Sequence, residues 1–142
     1  MLSNVLENIE GKCDINGIKI IKDIPGDLSI LYLDKLRLEN AFMDFILNSI
    51  ESMEEGGILT VNVKEDKVNK EIEIDITDTG IGISEDNLDK ILEPFFTTKD
   101  DGVGLGMGLS YQTILLHKGK LKIESKVGRG TTIHIQLPVE IN

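Results

Sequence analysis

Lys70-Glu71-Ile72-Glu73-Ile74-Asp75-Ile76-Thr77-Asp78-Thr79-Gly80-Ile81-Gly82-Ile83 is the stretch on which the fold turns. Apolar and polar residues alternate up to Thr77, the pattern of a strand with one face buried. Ile72, Ile74 and Ile76 point to that face. Side chains repeat every two residues, so Asp78 is expected to point the same way. A carboxylate aimed into an apolar wall is costly without a partner. Two glycines follow at once and let backbone come close to another group. An acceptor set in an apolar wall beside bare backbone suits a flat, amine-bearing ring such as adenine. The plainer reading is an Asp that opens a turn, with Gly80 supplying positive φ. This segment alone leaves both open.

Outward from this strand, the chain reads as one domain. Its 142 residues are enough for a single core. Ile15 to Lys22, with Ile18, Ile20 and Ile21, reads as a strand near an edge, and Asp23-Ile24-Pro25-Gly26-Asp27 as a turn. Ser29 to Leu33 is a brief extended piece. Asp34 caps a helix over roughly 35–54, whose apolar stripe is Leu38, Ala41, Phe42, Phe45, Ile46, Ile50 and Met53. Glu54-Glu55-Gly56-Gly57 ends it. Ile58 to Lys64 is a strand with Leu59, Val61 and Val63 on one face, and Glu65 to Lys70 is a solvated hairpin loop. Ser84 caps a helix through about Leu92, with Leu88, Ile91 and Leu92 as its buried side, and Pro94 stops it. The last hairpin pairs Leu121–Ser125 with Thr131–Leu137. Ile133, Ile135 and Leu137 share a face, and Thr131 shares their parity, so Thr131 is a second inward polar group beside Asp78. Residues 1–14 read as a helix remnant or linker, and 15–142 as the domain proper.

Composition excludes several functions. A formal net charge of −10 argues against broad nucleic-acid binding. A polyanionic ligand needs local help from Lys, helix N-termini or a divalent cation. Cys13 is the only cysteine, so an internal disulfide is impossible. No His/Cys cluster resembles a zinc site. No apolar run reaches membrane-spanning length and no signal-peptide pattern is present, so a cytoplasmic segment without membrane contact is expected.

Two further features carry possible chemistry. Asp44 and Asn48 lie four apart, so they stack on one side of the long helix, where their oxygens could hold a hydrated divalent cation. A bare pair of this kind is more often a solvated polar face. Gly102, Gly104, Gly106 and Gly108 alternate, which suits a mobile loop better than a strand or helix. That loop feeds a helix from about Gly108 to Lys118, carrying Leu109, Thr113, Leu115 and Leu116. Glycine-rich backbone opening a helix is an anion cradle, and Lys99 precedes it. A disordered loop is the alternative. Gly119 is expected at the C′ position. His117 and His134 read as structural.

Together these motifs resemble the catalytic ATP-binding domain of sensor histidine kinases, within the superfamily that also holds type II topoisomerases, heat-shock chaperone ATPases and mismatch-repair ATPases. The likeness runs from about Ile15 to Pro138. Asp34-x-x-Arg37-Leu38 through Asn48 resembles the N box, and Asp78-x-Gly80-x-Gly82 the first glycine box. Pro94-Phe95-Phe96-Thr97-Thr98-Lys99 resembles the F box, and Gly104-x-Gly106-x-Gly108-Leu109-Ser110 the second glycine box. Gly128-x-Gly130-Thr131 and Leu137-Pro138 resemble the closing hairpin. The resemblance implies a two-layer α/β (α+β) sandwich, the Bergerat ATP-binding fold: a mixed, mostly antiparallel sheet with helices on one face. It implies ATP and Mg²⁺ as cofactors. Asn48 would coordinate Mg²⁺, with Asp44 as a possible second ligand. Asp78 would accept from the adenine amine, with Thr131 assisting and Gly80 and Gly82 packing on the base. Lys99 and the backbone of Gly104, Leu105, Gly106, Met107, Gly108 and Leu109 would hold phosphates under a lid anchored by Phe95 and Phe96, with Phe96 and Thr98 also counted among the nucleotide-binding residues. Asp44, Asn48 and Lys99 would form the catalytic set.

Asp44 stands where such kinases usually carry Asn, and Lys118 where a glycine is common. Neither His117 nor His134 sits in a dimerising hairpin. The implied activity is therefore transfer of the ATP γ-phosphoryl group to a histidine on a separate dimerisation domain, with a response regulator downstream. A standalone ATPase using Asp44 as base, an anti-sigma-type serine kinase and a degenerate module remain as alternatives.

Overall fold

The computed structural model describes residues 7, 17–25, 35–88, 90–92 and 105–139. The N-terminal helix, the Asp34 cap, the Ser29–Leu33 piece and the Pro94–Lys99 motif fall outside these. Five strands form one sheet in the order β1-β2-β3-β5-β4: β1 (Ile18–Asp23), β2 (Gly57–Asp66), β3 (Glu71–Asp78), β4 (Lys120–Lys126) and β5 (Gly130–Pro138). Among the described residues, β1 pairs with β2 in parallel, while β2–β3, β3–β5 and β4–β5 are antiparallel. A parallel neighbour needs a crossover, and α1 (Lys35–Glu51) lies between β1 and β2 in sequence. The expected mixed, mostly antiparallel sheet is thus observed, with β1 at an edge.

The alternation in β3 does what its sequence promises. Ile72, Ile74 and Ile76 are buried, as are Leu59, Val61 and Val63 on β2 and Ile133, Ile135 and Leu137 on β5. The α1 stripe meets them in one core, with Phe42, Phe45 and Ile46 almost wholly buried. The opposite sheet face carries Asn62, Lys64, Glu73, Asp75, His134 and Gln136, partly or fully exposed. The result is two layers, helices on one face.

Several boundaries differ from expectation. β2 runs on to Asp66, so the hairpin loop is Lys67–Lys70. The Asp66 carboxylate accepts from the Val68 and Asn69 amides, a side-chain mimic of a backbone turn. α1 stops at Glu51, and looser turns carry the chain to Gly56. The Ser84 helix is a single turn, α2 (Glu85–Leu88), followed by turns through Leu92. Its cap is as expected, since the Asn87 amide donates to the Ser84 hydroxyl at 3.4 Å. Leu88, Ile91 and Leu92 are half-buried, not fully so.

The larger correction concerns α3 (Leu105–Leu116), which starts three residues before Gly108 and includes Gly106 and Gly108. Packing overrides the poor helix propensity of two glycines. Met107, Ser110 and Ile114, spaced i, i+3, i+7, are the buried side, with Gly108 also buried. Leu109, Leu115 and Leu116, which the helix carries, are exposed. The cap also shifts by one residue. Lys118 holds the left-handed conformation (φ 59°), its amide donating to Leu115 O and the Gly119 amide to Ile114 O. That is a Schellman ending with Lys118 at C′ and Gly119 at C″. A Cβ on Gly119 would come within 2.7 Å of the Gln136 carbonyl oxygen, so glycine is required there by close packing.

Candidate functional site

Asp78 is the last residue of the central strand, paired in register with Leu59 on β2 and Thr131 on β5. Its parity with Ile76 turns it inward, and it is 5% exposed. Oδ1 accepts from the Gly80 amide at 2.9 Å and the Thr131 amide at 3.2 Å. Burial pushes the carboxyl above the usual Asp range, opposed by the Gly80 amide, the Ser49 hydroxyl, the Thr131 amide and the Ser52 hydroxyl. The Ser49 and Ser52 hydroxyls, although close to Asp78, donate their protons to Phe45 O at 3.3 Å and Ser49 O at 2.7 Å. An ionised carboxylate has about four acceptor positions, so beyond the two amides capacity remains for a further donor. Thr131 is buried as well, and its hydroxyl lies 2.7 Å from that of Ser125.

The glycine loop after Asp78 is clamped by its own protein. A Cβ on Gly80 would strike Ser52 at the end of α1, lying 2.6 Å from its carbonyl oxygen. Gly82 has φ +78°, and a side chain there would run into the Lys126 carbonyl. The Ile81 amide donates to Ser52 O at 3.1 Å, and the Ile83 amide to the Ser125 hydroxyl at 2.7 Å. These glycines are therefore required first by close approach of the loop to α1 and to the β4–β5 hairpin.

α1 joins this corner to α3. Ser49 and Ser52 flank Asp78 and Gly80, while Asp44, two turns earlier, accepts at Oδ2 from the Ser110 hydroxyl of α3 at 3.1 Å. Asn48 lies between, half-buried. Burial raises the Asp44 carboxyl above its ordinary range, and the Ser110 bond opposes this. From Asp44 to Ser52 is eight residues, a rise of about 12 Å along the helix. The first-turn amides of α3, at Leu105, Gly106 and Met107, have no acceptor within the helix and suit an anion. The Leu109 amide lies inside the helical ladder. Phe96, Thr98, Lys99 and Gly104 lie outside the described residues.

The structure thus brings together Asp78, Gly80, Gly82 and Thr131 at one corner, with Asp44 and Asn48 along α1 and Leu105–Gly108 at the start of α3. Sequence reasoning missed Ser49, Ser52 and Ser125, and took Ser110 only as the end of the second glycine box. Ser125 was legible: it shares parity with the half-buried Leu121 and Ile123. The two histidines are bonded within the fold. His117 Nδ1 lies 2.8 Å from Thr113 O, and His134 Nδ1 lies 2.6 Å from Asp75 on the outer sheet face. An open groove on that outer face is lined by Lys64, Glu73, Asp75, Lys122, His134 and Gln136 among others, and none of the anticipated site residues line it. Among the described residues, no three His, Cys, Asp or Glu side chains cluster as a metal site, and no helix is long and apolar enough to cross a membrane.

A buried acceptor ends the central strand beside a long helix, and that helix packs against a second one whose first turn contains two glycines. Residues 33–141 match the family "Histidine kinase-, DNA gyrase B-, and HSP90-like ATPase", and the chain belongs to it. Among its relatives is Sporulation kinase E of Bacillus subtilis (strain 168), 33% identical over 142 residues, all of this chain and 19% of that protein. The sensor histidine kinase ZraS of Escherichia coli (strain K12) is 35% identical over 141 residues, 99% of this chain and 30% of ZraS. The chain therefore spans about a fifth to a third of these relatives. The nucleotide-free catalytic domain of histidine kinase ThkA superposes with a TM-score of 0.83 at 24% identity, covering 96% of this chain and 89% of that one. Full-length ShkA, solved in complex with AMPPNP, gives 0.86 at 23% identity, over 99% of this chain and 30% of that one. At these identities the two structures establish the fold, which is that of histidine kinase catalytic domains.

Proposed function

We propose that the chain is the ATP-binding catalytic domain of a sensor histidine kinase, with residues 15–142 as that domain, acting in the cytoplasm. In this reading ATP donates its γ-phosphoryl group to a histidine on a separate dimerisation domain, and a response regulator acts downstream. The observation that carries the reading is Asp78: an inward carboxylate, held by two amides through one oxygen, with acceptor capacity left over. A purine amine supplies the missing donor. The Asp44–Ser52 span of α1, about 12 Å, is on the scale of a nucleoside triphosphate, and the phosphates would go to the first-turn amides of Leu105, Gly106 and Met107, which have no acceptor within the helix. By motif, Lys99 and Gly104 are assigned to the phosphate side, Phe96 to anchoring the lid, and Thr98 to the nucleotide site. The AMPPNP bound to ShkA and the names of the relatives support the same assignment.

The residues present fit a divalent cation. Asn48 would hold it through its side-chain oxygen, and Mg²⁺ characteristically keeps waters and phosphate oxygens as its other ligands. Bound there, Mg²⁺ would neutralise phosphate charge. Everything else the chain contributes is positioning: Asp78 and Thr131 orient the base, and the α3 amides fix the chain of phosphates. Phosphoryl transfer depends chiefly on such positioning and charge neutralisation.

The test is a titration with a non-hydrolysable ATP analogue, with and without Mg²⁺, followed by transfer from ATP to a histidine-bearing dimerisation fragment added in trans. Asn48→Ala should remove the Mg²⁺-dependent part of binding and the transfer. Transfer undiminished by that change would contradict the assignment. Phosphate release by the chain alone, lost in Asp44→Asn, would instead point to a standalone ATPase.

A further inference from the structure

Asp44 sits on the same side of α1 as Asn48, one turn earlier, yet its Oδ2 accepts the Ser110 hydroxyl across the α1–α3 contact. Ser110 is 2% exposed, and Met107 and Gly108 on the same helix are buried. α3 needs such an anchor. Its first turn contains Gly106 and Gly108, each about 1 kcal/mol worse than Ala in a helix interior. Its anion-binding capacity lies in that same weak turn, and Ser110 follows directly after it.

Building on the nucleotide-binding reading, we infer that Asp44 is a positioning residue: through Ser110 it pins α3 against α1 and so sets where the first-turn α3 amides lie relative to Asn48. Its role is neither cation ligand nor general base. The carboxylate does its work on the protein, and any acceptor oxygen of the same size at this position can do the same. An Asn side chain keeps the oxygen that Ser110 needs.

The three roles separate in Mg²⁺-free solution. A cation ligand has nothing to do there, and a base matters only to turnover. Affinity for a non-hydrolysable ATP analogue in excess chelator should fall about tenfold in Asp44→Ala and equally in Ser110→Ala, the loss expected when a hydrogen bond to a charged group is removed. The double variant should lose no more than either single one, because both remove the same link. Asp44→Asn should restore what Asp44→Ala loses. In the nucleotide-free protein, hydrogen exchange of the amides from Leu109 to Thr113 should quicken in Ser110→Ala and Asp44→Ala and stay slow in Asp44→Asn. Should Asp44→Ala not fold, Ser110→Ala and Asp44→Asn carry the same contrast. Losses that multiply in the double variant, losses seen only with Mg²⁺, or an unaffected Ser110→Ala would overturn the inference. The exchange measurement needs no ligand, so it stands or falls separately from nucleotide binding itself.

Discussion

Replacing Asp78 by Asn separates the structural role of this residue from its proposed recognition role. Oδ1 carries both backbone amides, from Gly80 and Thr131, and the Asn oxygen can accept both. Asp78→Ala would leave two buried N–H groups unpaired, at about 1–3 kcal/mol each, and so would confound binding with folding. In Asp78→Asn the local bonds persist, but the second carboxylate oxygen becomes an NH₂ group. A donor then faces the position of a ring amine, itself a donor. The lost hydrogen bond to a charged group is worth about 1.5–3 kcal/mol, or roughly 10- to 150-fold in affinity. The donor–donor clash places the expected loss near the upper end, about 100-fold. Burial already disfavours the charge, so the variant should melt at or above the temperature of the unaltered chain. Calorimetric titration with an ATP analogue, paired with thermal denaturation, reads both quantities. Undiminished affinity in a folded Asp78→Asn protein would refute the assignment of Asp78 as the purine acceptor.

Two other expectations concern stability alone. The end of α3 offers opposite outcomes at adjacent positions: Lys118→Gly relieves a left-handed lysine and should stabilise by about 1 kcal/mol, while Gly119→Ala forces a Cβ against the Gln136 carbonyl, Ile114 and Leu137 and should cost about 1–3 kcal/mol. Equal melting temperatures for the two variants would contradict the cap geometry. For pH, burial raises both Asp44 and Asp78 above the unfolded value, so their contribution favours the folded state most below the unfolded pKa and is lost as pH rises through the folded one. The stability advantage of Asp78→Asn should therefore shrink as pH falls from neutrality toward the carboxylate range. An advantage that grows on acidification would reverse the sign of the argument.

The sequence carried the sheet because its period is two and its faces differ. Ile72, Ile74 and Ile76 announced their side, and Asp78 followed by parity alone. The α1 stripe was equally plain, since every residue named for it is buried. α3 was harder for a physical reason. It is apolar nearly all round, so spacing could not choose between Leu109, Leu115 and Leu116 and the buried Met107 and Ile114. Its early start depends on packing against α1, which no local propensity reports. The parallel pairing of β1 with β2 and the hydroxyl links from Ser110 to Asp44 and from Ser125 to the Asp78 loop share this limit. Each joins elements far apart in sequence, and a lone serine has no periodic signature. Lys118 shows the converse: the departure from glycine stood out in sequence, and the left-handed backbone supplies its meaning.

The most direct test of the whole account is to follow the backbone amide resonances of the labelled chain as a non-hydrolysable ATP analogue is added. The expected shifts fall at Asn48, Gly80, Thr131 and the Leu105–Met107 turn, the corner and helix start joined by α1. Shifts confined to Lys64, Lys122, His134 and Gln136 on the far face of the sheet, or none at saturating analogue, would contradict it.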